Sequence, residues 1–213
     1  GASCVEALAR GGVGALVLFD PDTVQESNIN RQAIAFRSTI GRKKVDVARA
    51  MIADINPEAQ VEALDRFVLA EDVPEFLDAY ADRVDYVVDA IDLVSCKLDL
   101  IETAISRGLP IISALGTGNK LDPTQFRISD LSKTEGCPLA RVVRKELRKR
   151  GIVHHTVLWS PELPAVPEAR EAPPPGRRSV PGSVAWVPPC AGLMMAGYVV
   201  QQLAAPQSVS SPV

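Results

Sequence analysis

Residues 15–32 read Ala15-Leu-Val-Leu-Phe-Asp20-Pro-Asp-Thr-Val-Gln-Glu-Ser-Asn-Ile-Asn-Arg-Gln32. The first five residues form an unbroken apolar run with Gly14 in front and Asp20-Pro-Asp22 behind. A run that short and apolar throughout predicts a strand buried on both faces, the kind found in parallel sheets. Upstream, residues 2–10 predict a helix stopped by Gly11-Gly12. Downstream, Val45, Val47, Ala48, Met51 and Ile52 mark the apolar stripe of a helix over 43–55, closed by Pro57.

The alternation continues along the chain. Residues 61–64 predict a strand, 73–82 a short helix, 86–91 a buried strand, 96–107 a helix and 109–114 a strand. Strands that alternate with helices specify an α/β fold, a doubly wound, mostly parallel sheet with helices on both faces. Past Gly118 the pattern changes to Phe126-Arg-Ile-Ser129, a charged helix over 139–150 and a strand within 153–159. Residues 164–182, with a Pro173-Pro-Pro175 run, predict a flexible loop. Order returns at Ser183-Val-Ala-Trp-Val-Pro-Pro189, before a helix of small residues from Ala191.

With 213 residues, 46% hydrophobic and 23% charged, the chain is expected to form one globular domain over 1–213. A net charge of −3 supplies no global attraction to nucleic acid, so any RNA contact needs a local basic patch. Cys4, Cys96, Cys137 and Cys190 are widely spaced with no C-x-x-C pair, against both a zinc knuckle and a disulfide scaffold. They point to a reducing compartment. No signal peptide or membrane span is predicted. The entry straight into a helix at Gly1 has the look of a fragment.

In open α/β sheets ligands bind beyond the carboxyl ends of the strands. Asp20 stands where such folds place an acid for ribose hydroxyls, although a turn-capping Asp fits the position equally well. The polar stretch ending in Asn-Arg-Gln32 tips the balance. Arg31 can fork onto phosphate oxygens, and Lys44 at the next helix start can neutralise a triphosphate. Asp92, beyond the 86–91 strand, suits a magnesium ion shared with phosphates. Each is an ordinary surface charge alone; on successive strand ends they describe an ATP site.

Three segments carry a resemblance: Asp20-x-Asp-x-Val-x-x-Ser-Asn-x-x-Arg-Gln32, Gly41-x-x-Lys-Val45 and Asp89-Ala-Ile-Asp92. Together they resemble the ubiquitin-activating-enzyme-like superfamily, which adenylates carboxylates. The resemblance implies that Asp20 holds the ribose, that Asn28, Arg31 and Lys44 (with Gln32 beside them) hold the phosphates, and that Asp92 binds Mg2+. Gly1 would be the last glycine of a phosphate loop whose preceding strand lies upstream.

Residues 91–97, Gly116-Thr-Gly118, Asp122-Pro-Thr-Gln125, Ile128-Ser-Asp130, Lys133-Thr134, Pro138-Leu139, Val187-Pro188 and Ala191-Gly192 resemble the tRNA threonylcarbamoyladenosine dehydratases within that superfamily. That likeness implies ATP-dependent cyclisation of N6-threonylcarbamoyladenosine in the anticodon stem-loop of a tRNA. It also implies a homodimer in the cytoplasm, with mitochondrial association if the source is eukaryotic. Two alternatives stay open: an adenylyltransferase for the C-terminal glycine of a ubiquitin-like sulfur carrier, and an inactive dimerisation subunit.

Arg144, Lys145 and Arg148, with Arg141, Lys149 and Arg150, are either a solvated helix face or a patch that tracks RNA phosphates. Cys190 is either a buried structural thiol or a reactive one serving a sulfur-transfer partner protein. His154 and His155 share a strand, so at least one is expected to face solvent, and neither is given a role.

Overall fold

The computed structural model describes residues 1–66, 70–165 and 182–205. In chain order the elements are α1 (Ala2–Arg10), β1 (Ala15–Phe19), α2 (Lys44–Ile55), β2 (Gln60–Leu64), α3 (Val73–Asp78), β3 (Val87–Asp89) and α4 (Val94–Ser106). They continue with β4 (Ile111–Ala114), β5 (Arg127–Asp130), α5 (Pro138–Lys149), β6 (Thr156–Trp159) and α6 (Val187–Ala204). β1 pairs with β2 in parallel; β3, β4 and β6 are parallel in that order, and β5 closes the second sheet antiparallel to β6.

The strands β3, β4 and β6 are packed from both sides. On β4, Ile112 and Ala114 face a core shared with α1, α2 and α6, while Ile111 faces a second core shared with α3, α4 and α5. β3 and β6 split the same way: Val88 and Leu158 join the first core, and Val87, Val157 and Trp159 the second. Side chains alternate across a strand, so helices on both faces follow directly, and the fold is the α/β one expected.

The stripe read for α2 is the buried one: Val45, Val47, Ala48 and Ile52 are buried and Met51 packs beside them. On α5, Ala140, Val143 and Leu147 lie one or two turns apart and are buried, which leaves Arg141, Lys145 and Arg148 outside. Each Val, Leu or Ile among them contributes about 1.5–3 kcal/mol on burial.

Several boundaries differ from the sequence reading: the strands expected over 86–91 and 109–114 shorten to Val87–Asp89 and Ile111–Ala114, and many other ends shift by one to three residues. The helix expected over 73–82 stops at Asp78. The last helix starts at Val187 rather than Ala191, because Pro188 and Pro189 fit the first helical turn, where no intrahelical N–H is needed. The small residues of α6 have a packing reason: a Cβ added at Gly192 would meet the Cys4 backbone nitrogen at 2.9 Å, so α1 and α6 touch backbone to side. Most of the loop expected over 164–182 falls at 166–181, outside the described residues. No helix among the described residues is long and apolar enough to cross a membrane.

Candidate active site

The candidate residues follow the carboxyl ends of β1 and β3 and open α2. The loop after β1 is fastened to the approach to α2: Val24 N–H donates to Arg42 O at 2.8 Å, Gly41 N–H to Val24 O at 2.9 Å, and Lys44 N–H to Asp22 O at 3.0 Å. This clasp carries Lys44 Nζ to 2.7 Å from Asp22 Oδ2 and 3.8 Å from Asp20 Oδ2. Asp20 Oδ1 accepts the Asp22 N–H at 2.9 Å. Burial raises the Asp20 carboxyl above the usual range, opposed by that N–H and by Lys44.

Gly1, ahead of α1, has its amino nitrogen within electrostatic reach of Asp92, Asp20 and Lys44. Of these residues Lys44 and Asp20 are in contact, and Gly1 and Asp92 lie within electrostatic range. Asp92 is exposed and makes no ion pair among the described residues.

Asn28, Arg31 and Gln32 lie on the adjoining loop, whose turn at Glu26–Asn28 is built by Asn28 itself. It is buried, and its Oδ1 accepts the Gln25 N–H at 3.0 Å. Arg31 is held against its own loop, with Nη1 donating to Ser27 O at 2.7 Å and to Asn30 Oδ1 at 2.9 Å. Gln32 is half-buried, with its N–H bonded to Asn28 O.

Sequence reasoning missed the support beneath Asp92. Asp89 and Lys97 are fully buried and paired, Oδ2 to Nζ at 2.6 Å. Asp89 Oδ1 also accepts the Ile91 N–H at 2.9 Å, and Lys97 Nζ donates to Ala114 O at 3.1 Å. One lysine on α4 thus ties the end of β3 to the end of β4 and fixes the turn that presents Asp92. The available signal was a second acid at the strand end with a cation eight residues later.

The other candidates sort by burial. His155 is buried, its Nε2 2.8 Å from Ser113 Oγ, and burial pushes its pKa down to about 4. His154 is largely exposed and pairs with Asp130 at 3.2 Å. Cys190 sits half-buried in the first turn of α6, its N–H bonded to Trp186 O.

On α5, Lys149 pairs with Glu146, and Arg150 with Asp99 and Glu102. Arg144 turns inward, Nη1 donating to Thr134 O at 2.6 Å and to Thr134 Oγ1. Arg141, Lys145 and Arg148 stand at i, i+4 and i+7, exposed and free of ion pairs among the described residues.

The sequence profile of the ThiF family matches residues 1–211. The chain is 45% identical over 212 residues to the tRNA threonylcarbamoyladenosine dehydratase of Bacillus subtilis (strain 168), an alignment covering 95% of this chain and 82% of that protein. It is 39% identical over 148 residues to the Escherichia coli dehydratase of the same name, across 70% of this chain but only 54% of that protein. A crystal structure of that E. coli enzyme in complex with ATP superposes with a TM-score of 0.82 at 32% identity, covering 97% of this chain and 84% of that one. The chain belongs to the ThiF family and, within it, to the tRNA threonylcarbamoyladenosine dehydratases.

Proposed function

We propose that this protein dehydrates N6-threonylcarbamoyladenosine in tRNA at the expense of ATP. The observation that carries the reading is Lys44 held against Asp20 and Asp22 beyond the carboxyl end of β1, with Arg31 on the same loop and Asp92 beyond β3, in a chain of this family. The threonyl carboxylate attacks the α-phosphorus of ATP and pyrophosphate leaves, which gives an acyl-adenylate. A carbamoyl nitrogen then closes a ring onto the activated carbonyl as AMP departs and the nitrogen gives up its proton. The oxygen lost from the substrate leaves on AMP.

Asp20 accepts from the ribose hydroxyls. Lys44, held ready by Asp22, turns to the phosphates, and Arg31 exchanges Ser27 O for phosphate oxygens. A cation trades carbonyl or carboxylate partners for phosphate at little cost because its hydrogen bonds are replaced in kind. Asn28 holds the turn that aims Arg31. The donor set fits magnesium carried by the nucleotide: a single exposed carboxylate, Asp92, with no cluster of three ligating side chains among the described residues, suits an ion that takes its remaining ligands from phosphate and water. Bound there, Mg2+ would neutralise charge on the leaving pyrophosphate.

The outward stripe of Arg141, Lys145 and Arg148 supports RNA as the substrate, as it gives an acidic protein a basic face without ion pairs among the described residues. The test is pyrophosphate release with threonylcarbamoylated tRNA, with unmodified tRNA and with a diglycine-tailed carrier protein, followed by mass spectrometry of the nucleoside. Release with the modified tRNA alone, and a nucleoside lighter by one water, is expected. Release with the carrier alone would overturn the reading.

A further inference from the structure

Residues 27–45, which join the Asn28 turn to α2, contain Arg31, Arg37, Arg42, Lys43 and Lys44 and not one acid, in a chain whose net charge is −3. Three of these cations are occupied. Arg31 and Lys44 are assigned to the nucleotide, and Lys43 pairs with Asp65. Arg37 approaches Glu26 only to 3.9 Å, between two side chains that stand mostly in water, and such a pair contributes little. Arg42 is exposed and forms no ion pair among the described residues. Folding therefore leaves two guanidinium groups to solvent on the segment that carries a phosphate-binding arginine.

Beside them is an aromatic ring that the fold holds outward. Ile34 and Ala35 are buried and anchor the chain, yet the next residue, Phe36, is 58% exposed. Its backbone is fixed all the same. Phe36 N–H donates to Thr39 Oγ1 at 2.8 Å, Thr39 N–H donates to Phe36 O at 2.9 Å, and the Thr39 hydroxyl donates to Ile34 O at 2.8 Å. Thr39 is itself buried, so this four-residue turn is a closed unit. Arg42 N–H bonds to Thr39 O at 3.1 Å and Arg42 O accepts the Val24 N–H, which ties the turn to the loop after β1.

Single exposed hydrophobic residues are ordinary on a protein surface. A ring on an ordered turn that also bears two uncommitted guanidinium groups is a narrower pattern. It offers a π-face to a base and cations to the phosphates beside that base, the combination that binds single-stranded nucleic acid. A second copy of the chain fits poorly, because a two-fold contact centred here would set the same basic segment against itself.

We propose that the turn over residues 36–42 docks single-stranded RNA, with an unpaired base of the anticodon loop stacked on Phe36 and neighbouring phosphates met by Arg37 and Arg42. The turn lies between Arg31 and Lys44 in the chain, so RNA held on it is held by the same segment that carries the residues assigned to ATP. The inference rests on the dehydratase reading given above.

The test uses the full protein with steady-state dehydration of threonylcarbamoylated tRNA, titration of the same tRNA without ATP at several salt concentrations, and calorimetry for ATP. Phe36→Ala should raise the KM for tRNA about fivefold or more, with the Kd for ATP unchanged. Phe36→Trp should restore it, whereas Phe36→Leu, apolar but without a π-face, should not. Arg37→Gln/Arg42→Gln should make the log–log salt dependence of tRNA binding shallower by about one to two. All three side chains are exposed, so the variants are expected to fold, and thermal unfolding checks this. If the wild type dehydrates the tRNA while Phe36→Ala keeps its KM or the double variant keeps its salt slope, the docking surface is wrong and the reaction stands. A Phe36→Leu protein equal to the wild type would make the position a plain apolar contact and overturn the stacking. A changed oligomeric state of Phe36→Ala in sedimentation would make the turn a contact between copies, and an equal loss of ATP affinity would give Phe36 to the nucleotide; either overturns the proposal. A wild type inert toward modified tRNA would fell the reaction itself, and the docking surface with it.

Discussion

The Asp89–Lys97 pair makes a quantitative test of how the site is held. Both side chains are fully buried at 2.6 Å, and between them they accept from Ile91 N–H and donate to Ala114 O. Lys97→Met keeps the length of the stem and removes only the ammonium, so little cavity is created. What remains is a buried carboxylate with one N–H partner, and stranding a buried charge in this way costs about 3–5 kcal/mol. Against a total stability on the order of 5–15 kcal/mol, that is a large fraction. For a chain of this size it corresponds to a fall in Tm of roughly 6–20 °C. Asp89→Asn/Lys97→Met retains an acceptor for Ile91 and buries no charge, so it should be more stable than the sum of the single changes predicts, by about 2 kcal/mol. Thermal and urea unfolding of the four proteins, followed by circular dichroism, gives the cycle. A Lys97→Met protein within about 1 kcal/mol of wild type, or additive single changes, would refute the claim that one buried ion pair joins β3, β4 and α4. Weakened Mg2+–ATP binding in the double variant, despite recovered stability, would show that the pair also positions Asp92.

Asp92→Asn should fold like the wild type, because the side chain is exposed and unpaired. Its turnover should fall about a hundredfold or more, since the metal supplies several kcal/mol of charge stabilisation; near-normal turnover removes Asp92 from the site. Replacing Arg141, Lys145 and Arg148 together with Gln should make the log–log salt dependence of tRNA binding shallower by about two to three while ATP binding holds, and an unchanged slope excludes α5 from the RNA contact. His155 is buried neutral with its pKa near 4 against the ordinary 6.5. Above about pH 6.5 both folded and unfolded chains leave it uncharged; as pH falls toward 4 only the unfolded chain gains the proton, so stability is lost across that window and levels off below it. His155→Gln should flatten that part of the pH–stability curve, measured by urea unfolding at intervals from pH 4 to pH 7. Parallel curves for the two proteins would count against a buried neutral imidazole.

The sequence carried the architecture because the architecture rests on short-range rules. A five-residue apolar run at 15–19, a 3.6-residue stripe on α2 and a proline after it are local signals, and the helices, strands and their layering came from them. Helix ends were read less well where a rule has an exception: Pro188 and Pro189 look like breakers but stand at the one helical turn that tolerates them. Asp20, Lys44 and Asp92 could be picked out as candidates because each follows a strand or opens a helix, which local pattern alone discloses. The side-chain contacts around them could not be read. Asp22 as the nearer partner of Lys44, Lys97 as the strut under Asp92, and Arg144 as a tether for Thr134 all depend on which way a side chain turns. In a sequence a lysine on a helix reads as solvent-facing because burying its charge is costly. Lys97 overrides that default only because Asp89 and a carbonyl meet it from two different strands, and that compensation exists only once the sheet has formed.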